Sequence, residues 1–166
     1  MDTARFLPAV LLSLASMVVI GDMQASAQTE AILFDFNSTN GINPYAGLIF
    51  DNAGNLYGAT VQGGAYGYGT VFKLSPPVSS GYWTEKELHS FNNNGTDGVS
   101  PYGGLSFDNQ GNLYGTTYYG GAGTCNTGEY RGCGTVFKIS SRGVYQIIHT
   151  FRGGSRRSMA ISGISS

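Results

Sequence analysis

The residues able to do chemistry in this chain are few, and most of them come in matched pairs. His89 and His149 each stand two positions before a phenylalanine, Phe91 and Phe151. Asp51–Asn55 and Asp108–Asn112 both read Asp-x-x-Gly-Asn. Cys125 and Cys133 lie close together, and Tyr57, Tyr66, Tyr68, Tyr114, Tyr118 and Tyr119 crowd two glycine-rich stretches. Asp97 and Glu129 are acids that fall outside the paired pattern.

Each set admits a sharp reading and a plain one. Oxygen-rich loops suit calcium, yet Asp-x-x-Gly-Asn has too few carboxylates for an EF-hand loop. A tight hairpin accounts for every residue, the Asp accepting N–H groups across the turn and the Gly supplying positive φ. Asp51, Gly54, Asn55, Asp108, Gly111 and Asn112 are therefore read as turn residues, and no metal is assigned. Histidine is the usual general base or metal ligand, but repetition alone explains a matched pair. Two thiols without a nearby histidine make half a zinc site, whereas in an exported chain they most simply form one disulfide. The six tyrosines are candidates for sugar stacking, although half-buried tyrosine is also ordinary core and rim material.

No nucleophile elbow, zinc-protease helix, phosphate loop or dinucleotide fingerprint occurs, and no cofactor is implied. Two function classes follow. The favoured one is a non-catalytic repeat that presents loops and aromatics to carbohydrate or surface components. The alternative is a propeller-type enzyme acting on polysaccharide, with Asp97 or Glu129 in a paired-carboxylate role.

What must position these residues is a repeat. Pro44–Leu74 and Pro101–Ile139 agree in Pro-Tyr, Gly-Leu, Phe-Asp-Asn-x-Gly-Asn-Leu-Tyr-Gly, Gly-Gly and Gly-Thr-Val-Phe-Lys, and the second copy adds a loop holding both cysteines. Strands are expected over Gly47–Phe50, Leu56–Val61, Thr70–Leu74 and Trp83–Phe91. The second copy repeats them over Gly104–Phe107, Leu113–Tyr119, Thr135–Ile139 and Val144–Phe151. Within Leu56–Val61, Leu56 and Thr60 should share one face, with Tyr57, Ala59 and Val61 on the other. Glu30–Phe36 reads as an outlying strand, its Phe36 standing where Phe91 and Phe151 stand, and Asn92–Ser100 as a polar connector. Four short antiparallel strands per unit match a propeller blade, a little longer than the roughly 40–50 residues of WD40 and kelch blades. A solenoid or sandwich is the alternative.

The fold class is all-β: two propeller-like blades, 44–100 and 101–151, after an outlying strand and connector, 28–43. Glycine at 26 residues is about twice the usual share, while 11% charge is under half of it. With 13% aromatics this composition means short strands and tight turns, not disorder. Residues 1–27 read as a cleaved signal peptide, with Arg5, the apolar run Phe6–Ile20 and the triplet Ala25-Ser26-Ala27. The run is shorter than the ~20 residues of a membrane span. Removing this leader takes Arg5, Asp2 and Asp22 and leaves eight basic and eight acidic residues. That balance excludes the basic footprint of a nucleic-acid binder. Residues 152–166 read as an unstructured tail and the chain as a fragment of a longer array. Two blades cannot close a ring, so self-association through open faces, including the Phe72/Leu74 and Phe137/Ile139 rows, is expected.

The core Gly-Leu-x-Phe-Asp-x-x-Gly-Asn-Leu-Tyr-Gly-x-Thr, with the following Gly-Gly and Gly-Thr-Val-Phe-Lys, resembles the GloVer tandem repeat of bacterial exported proteins. The likeness spans Glu30–Phe151. It implies a β-repeat architecture behind a signal peptide, sometimes ahead of a surface anchor, and carries over neither a catalytic residue nor a ligand. This chain differs from the family in having two full copies and no anchor signal.

Overall fold

A computed structural model describes residues 30–153. The expected leader and residues 154–166 of the expected tail lie outside them.

The described residues form ten strands and no helix. The first repeat supplies β1 (Ile49–Phe50), β2 (Leu56–Thr60), β3 (Thr70–Ser75) and β4 (Thr84–Ser90). They make one antiparallel sheet in the order β1-β2-β3-β4. Next come β5 (Gly98–Val99), β6 (Ser106–Phe107), β7 (Leu113–Thr117), β8 (Tyr119–Gly120), β9 (Thr135–Ile139) and β10 (Tyr145–Thr150). The second sheet has the order β10-β9-β7-β6, and β5 pairs with β8 apart from it. The fold is thus all-β, with two four-stranded, blade-like antiparallel sheets.

Register shows why both faces of each central strand are apolar. Tyr57 lies opposite Lys73 and Ala59 opposite Val71, while Leu56 meets Leu74 and Gly58 meets Phe72. The first group shares one face and the second group the other, because side chains alternate along a strand. Val71 joins Leu105, Leu113, Phe137 and Ile139 of the second repeat in one buried cluster, with Ile49, Tyr57 and Leu88 packed against it. The repeats therefore stack front to back, one face of the first on the opposite face of the second. Phe91, just beyond β4, completes that cluster with its ring 5.4 Å from Phe137. Phe36 does the same for the first repeat, 4.6 Å from Phe72.

Four expectations need correction. Glu30–Phe36 is no strand. Among the described residues it makes no strand pairing, whereas its counterpart β4 pairs with the β3 of its own repeat. Its Phe34 and Phe36 instead pack over Leu56, Phe72 and Leu74, together with Trp83. For the same reason the Phe72/Leu74 row is covered, and the Phe137/Ile139 row is buried against the first repeat. Leu113–Tyr119 breaks at Tyr118, because Tyr119 turns away to pair with Val99. The polar connector Asn92–Ser100 ends in buried residues, Asp97 to Ser100, since it runs between the repeats.

The glycine of Leu-Tyr-Gly is a packing requirement. A Cβ on Gly58 would sit 2.5 Å from Phe72 Cζ and 2.7 Å from Leu48 Cδ2. One on Gly115 would strike the Phe137 ring and lie 2.8 Å from Leu105 Cδ2. Overpacking of this kind costs about 1–3 kcal/mol. Gly115→Ala should destabilise the chain by that amount in chemical unfolding, and Phe137→Ala by about 3–5 kcal/mol. Gly104→Ala, where an added methyl meets nothing within 4 Å, should stay within about 0.5 kcal/mol of wild type.

Candidate functional site

Three polar or aromatic constellations stand out. The first lies at the seam between the repeats. Asp97, in the connector, accepts at Oδ2 from His89 Nε2 (3.0 Å) and the Asn92 N–H (3.0 Å). At Oδ1 it accepts from the Tyr145 hydroxyl and the Gly98 N–H, both at 2.7 Å. The His89 and Tyr145 rings stack with centroids 3.5 Å apart and planes 5° from parallel. Residues of β4, the connector and β10 are tied together by one buried carboxylate. Burial alone would raise the Asp97 pKa, but the bonds from His89 and Tyr145 outweigh it and hold the carboxyl below its usual value. Burial first, and the Asp97 bond second, push the Tyr145 hydroxyl up.

The repetition is incomplete here. His149 is exposed and touches Phe151 edge-on, as His89 touches Phe91. In the first repeat Glu85 stands opposite Leu74, where Tyr145 stands opposite Ile139. Glu85 Oε1 is buried with no hydrogen-bond partner, and burial, then Glu87, raise its pKa.

The second constellation is the pair of hairpin turns. Asp51 accepts from the N–H groups of Ala53 and Asn55, the Asn55 side-chain amide and the Tyr57 hydroxyl, at 2.7–3.0 Å. Asp108 accepts likewise from Gln110, Asn112, the Asn112 amide and Tyr114. Gly54 and Gly111 take φ of 79° and 76°. Each carboxylate has four donors, so it locks its turn, and Tyr57 and Tyr114 belong to that lock. The Asn112 amide leads in holding Asp108 down to about 2.

The third is a ribbon of tyrosine rings. Tyr45 meets Tyr102 (5.7 Å), Tyr102 meets Tyr118 (5.7 Å) and Tyr118 meets Tyr119 (4.6 Å). Tyr119 stacks on Tyr130 (4.8 Å, 23°), which reaches Tyr68 at 6.2 Å. Backbone bonds place both tyrosine loops, because Ser100 N–H donates to the Tyr68 carbonyl and its own carbonyl accepts from Tyr118 N–H, each at 3.0 Å. Ser100 holds φ at 53° to do so. A disulfide joins Cys125 to Cys133 and closes the loop that carries Tyr130. The Glu129 carboxylate beside Tyr130, then burial, push that hydroxyl up to about 12. Tyr45 and Tyr102 are 70% and 48% exposed, so the ribbon has an open end.

Of the six tyrosines singled out in sequence, Tyr68, Tyr118 and Tyr119 are in the ribbon. Tyr57 and Tyr114 are at the turns, and Tyr66 is exposed with no ring contact among the described residues. Tyr45, Tyr102 and Tyr130 were missed. The available signals were the Pro-Tyr that opens both repeats and the tyrosine inside the cysteine loop.

Stacked antiparallel sheets, interlocked through equivalent residues of two sequence copies, define an all-β tandem-repeat protein. Residues 19–165 match the profile of the Gloeobacter/Verrucomicrobia repeat, and the chain belongs to that repeat family. No curated protein matches it, and no solved structure does. Among the described residues no helix is long and apolar enough to cross a membrane.

The carboxylates give stability a definite pH dependence. Asp51, Asp97 and Asp108 have folded pKa values below 3.8. Above that value their contribution is fully present, and it is lost as pH falls through the folded values. The melting temperature should drop steeply from pH 4 toward pH 2, and less steeply in Asp108→Asn. Glu85 acts with the opposite sign, since its folded pKa lies above 4.5 and its penalty appears as pH rises. Glu85→Gln should therefore raise the melting temperature at pH 7 more than at pH 4.

Proposed function

We propose that this chain is an exported, non-catalytic repeat module that binds carbohydrate through the tyrosine ribbon. The observation that carries the reading is the unbroken run of ring contacts from Tyr45 to Tyr68, drawn from both repeats and the cysteine loop. Flat amphipathic rings with an apolar body and a hydroxyl suit the faces and edges of sugar rings. Export is supported by the leader pattern of residues 1–27 and by a disulfide, which persists in oxidising compartments. A hydrolase reading finds less support, because Asp97 has both oxygens engaged by four donors. Glu129 is exposed beside Tyr130 in the cysteine loop.

Titration of the chain with a panel of neutral oligosaccharides, followed by calorimetry, tests the proposal. At least one oligosaccharide should bind, and Tyr102→Ala or Tyr119→Ala should weaken it about tenfold, roughly 1.4 kcal/mol. Tyr114→Phe, at a turn, should bind as wild type. Reducing the disulfide frees the Tyr130 loop and should weaken binding without unfolding the sheets. Absence of binding across the panel, or equal affinity of the Tyr102 and Tyr119 variants with wild type, contradicts the reading.

A further inference from the structure

A cleft of about 250 Å³ opens between the two repeats, and it shares no residue with the tyrosine ribbon. Lys73 and Lys86 of the first sheet and Arg142 of the β9–β10 turn line it, beside Ser140 and Ser141. Six lysines and arginines occur among the described residues, so half of them meet at this one cleft. No carboxylate lines it, and among the described residues none of the three cations is ion-paired. Asp51, behind the Tyr57 hydroxyl, and Asp108, behind Asn112, have both oxygens occupied by their own turns.

The strand register supplies an independent reason to expect a ligand. Lys73 and Lys86 are direct cross-strand partners, and like charges placed directly opposite destabilise a sheet. The second repeat avoids this by setting Gln146 opposite Lys138. Lys86 is thus a departure from the repeat that works against the fold. Departures of that kind concentrate where a chain has a function to serve. The turn that carries the third cation is braced: Ser141 N–H donates to Asn112 Oδ1 (3.2 Å), and the Val144 N–H donates to Ser140 Oγ (3.0 Å), on either side of Arg142. Lys73 is seated with its ammonium 5.7 Å from the centre of the Tyr57 ring. Low-dielectric walls of Tyr57, Leu88 and Phe107 concentrate the field of the three charges in the cleft.

We propose that this cleft binds a tetrahedral oxyanion, sulfate or phosphate, either free or as the ester group of a sugar. Arg142 offers a planar fork of donors to two oxygens, and the two lysines act as point charges on the remaining ones. Bound anion removes the Lys73–Lys86 repulsion, so occupancy stabilises the fold.

The test is titration of the full chain with sodium sulfate, sodium phosphate and glucose 6-sulfate, at ionic strength held constant with sodium chloride. Binding is followed by calorimetry and by amide NMR shifts. At least one of the three should bind, shift the amides of Lys73 and Ser141, and raise the melting temperature beyond the chloride control. Lys86→Gln, which copies the second repeat, and Arg142→Gln should each weaken that binding at least tenfold. Without added oxyanion, Lys86→Gln should melt no lower than wild type. Tighter binding of the sulfate ester than of sulfate identifies a sugar ester, and the reverse order identifies a free anion. The proposal is overturned if none of the three acts beyond chloride, if both variants bind as wild type, or if the shifts fall on the tyrosine ribbon instead. The neutral oligosaccharide titration reads the other site, so failure of one proposal is distinguishable from failure of the other.

Discussion

Everything in this structure depends on the tip of a phenylalanine ring filling the space over a glycine. Phe72 covers Gly58 and Phe137 covers Gly115, with Leu48 and Leu105 closing the third side. The contact explains why two distant parts of the motif recur together, Leu-Tyr-Gly in one strand and Thr-Val-Phe in its neighbour. It lets each sheet bring a flat apolar face against the sheet before it, at interior packing density. The interlock also reaches across the repeat boundary, because Phe91 leaves the first repeat to complete the second core. Each unit thus borrows an aromatic from the segment before it, which is how stacked repeats bury what they cannot bury alone.

The polar seam depends on that stacking. Asp97 is buried only because the connector is trapped between sheets, and burial is tolerable only because four donors surround it. Two of those donors, His89 and Tyr145, come from different repeats. The first repeat lacks this arrangement. Phe34, Asn40 and Glu85 stand where His89, Asp97 and Tyr145 stand, and a buried carboxylate oxygen is left without a partner. Repetition fixes the apolar frame, and the departures from repetition carry the electrostatics.

Local chemistry was legible in the sequence, and long-range chemistry was not. The Asp-x-x-Gly-Asn turns declared themselves, because an acceptor, two donors and a positive-φ glycine all fall within five residues. The alternation of Leu56 and Tyr57 gave the faces correctly. Glu30–Phe36 misled because an apolar run reads as a strand whether or not a ladder exists to receive it. Asn92–Ser100 misled because polarity suggests solvent, while Asp97 is polar and satisfied inside. The ribbon was half seen: Tyr68, Tyr118 and Tyr119 sit in glycine-rich loops that invite notice. Tyr102 joins them through Tyr118 of its own repeat, and Tyr45 is joined only by the stacking of one repeat on the next. The facing of Lys73 and Lys86 likewise needed a register that spacing alone does not supply.

Val71, Phe91 and Phe137 share one buried cluster, so the two repeats should form one cooperative unit. Native-state hydrogen exchange on the full chain addresses it directly. The β3 amides of Val71 and Phe72 and the β9 amides of Val136 and Phe137 should open with the same free energy. Phe91→Ala should lower all four together, although Phe91 lies in neither strand. If β3 and β9 open with different free energies, and the substitution lowers only the second sheet, the repeats are independent units and the account is wrong.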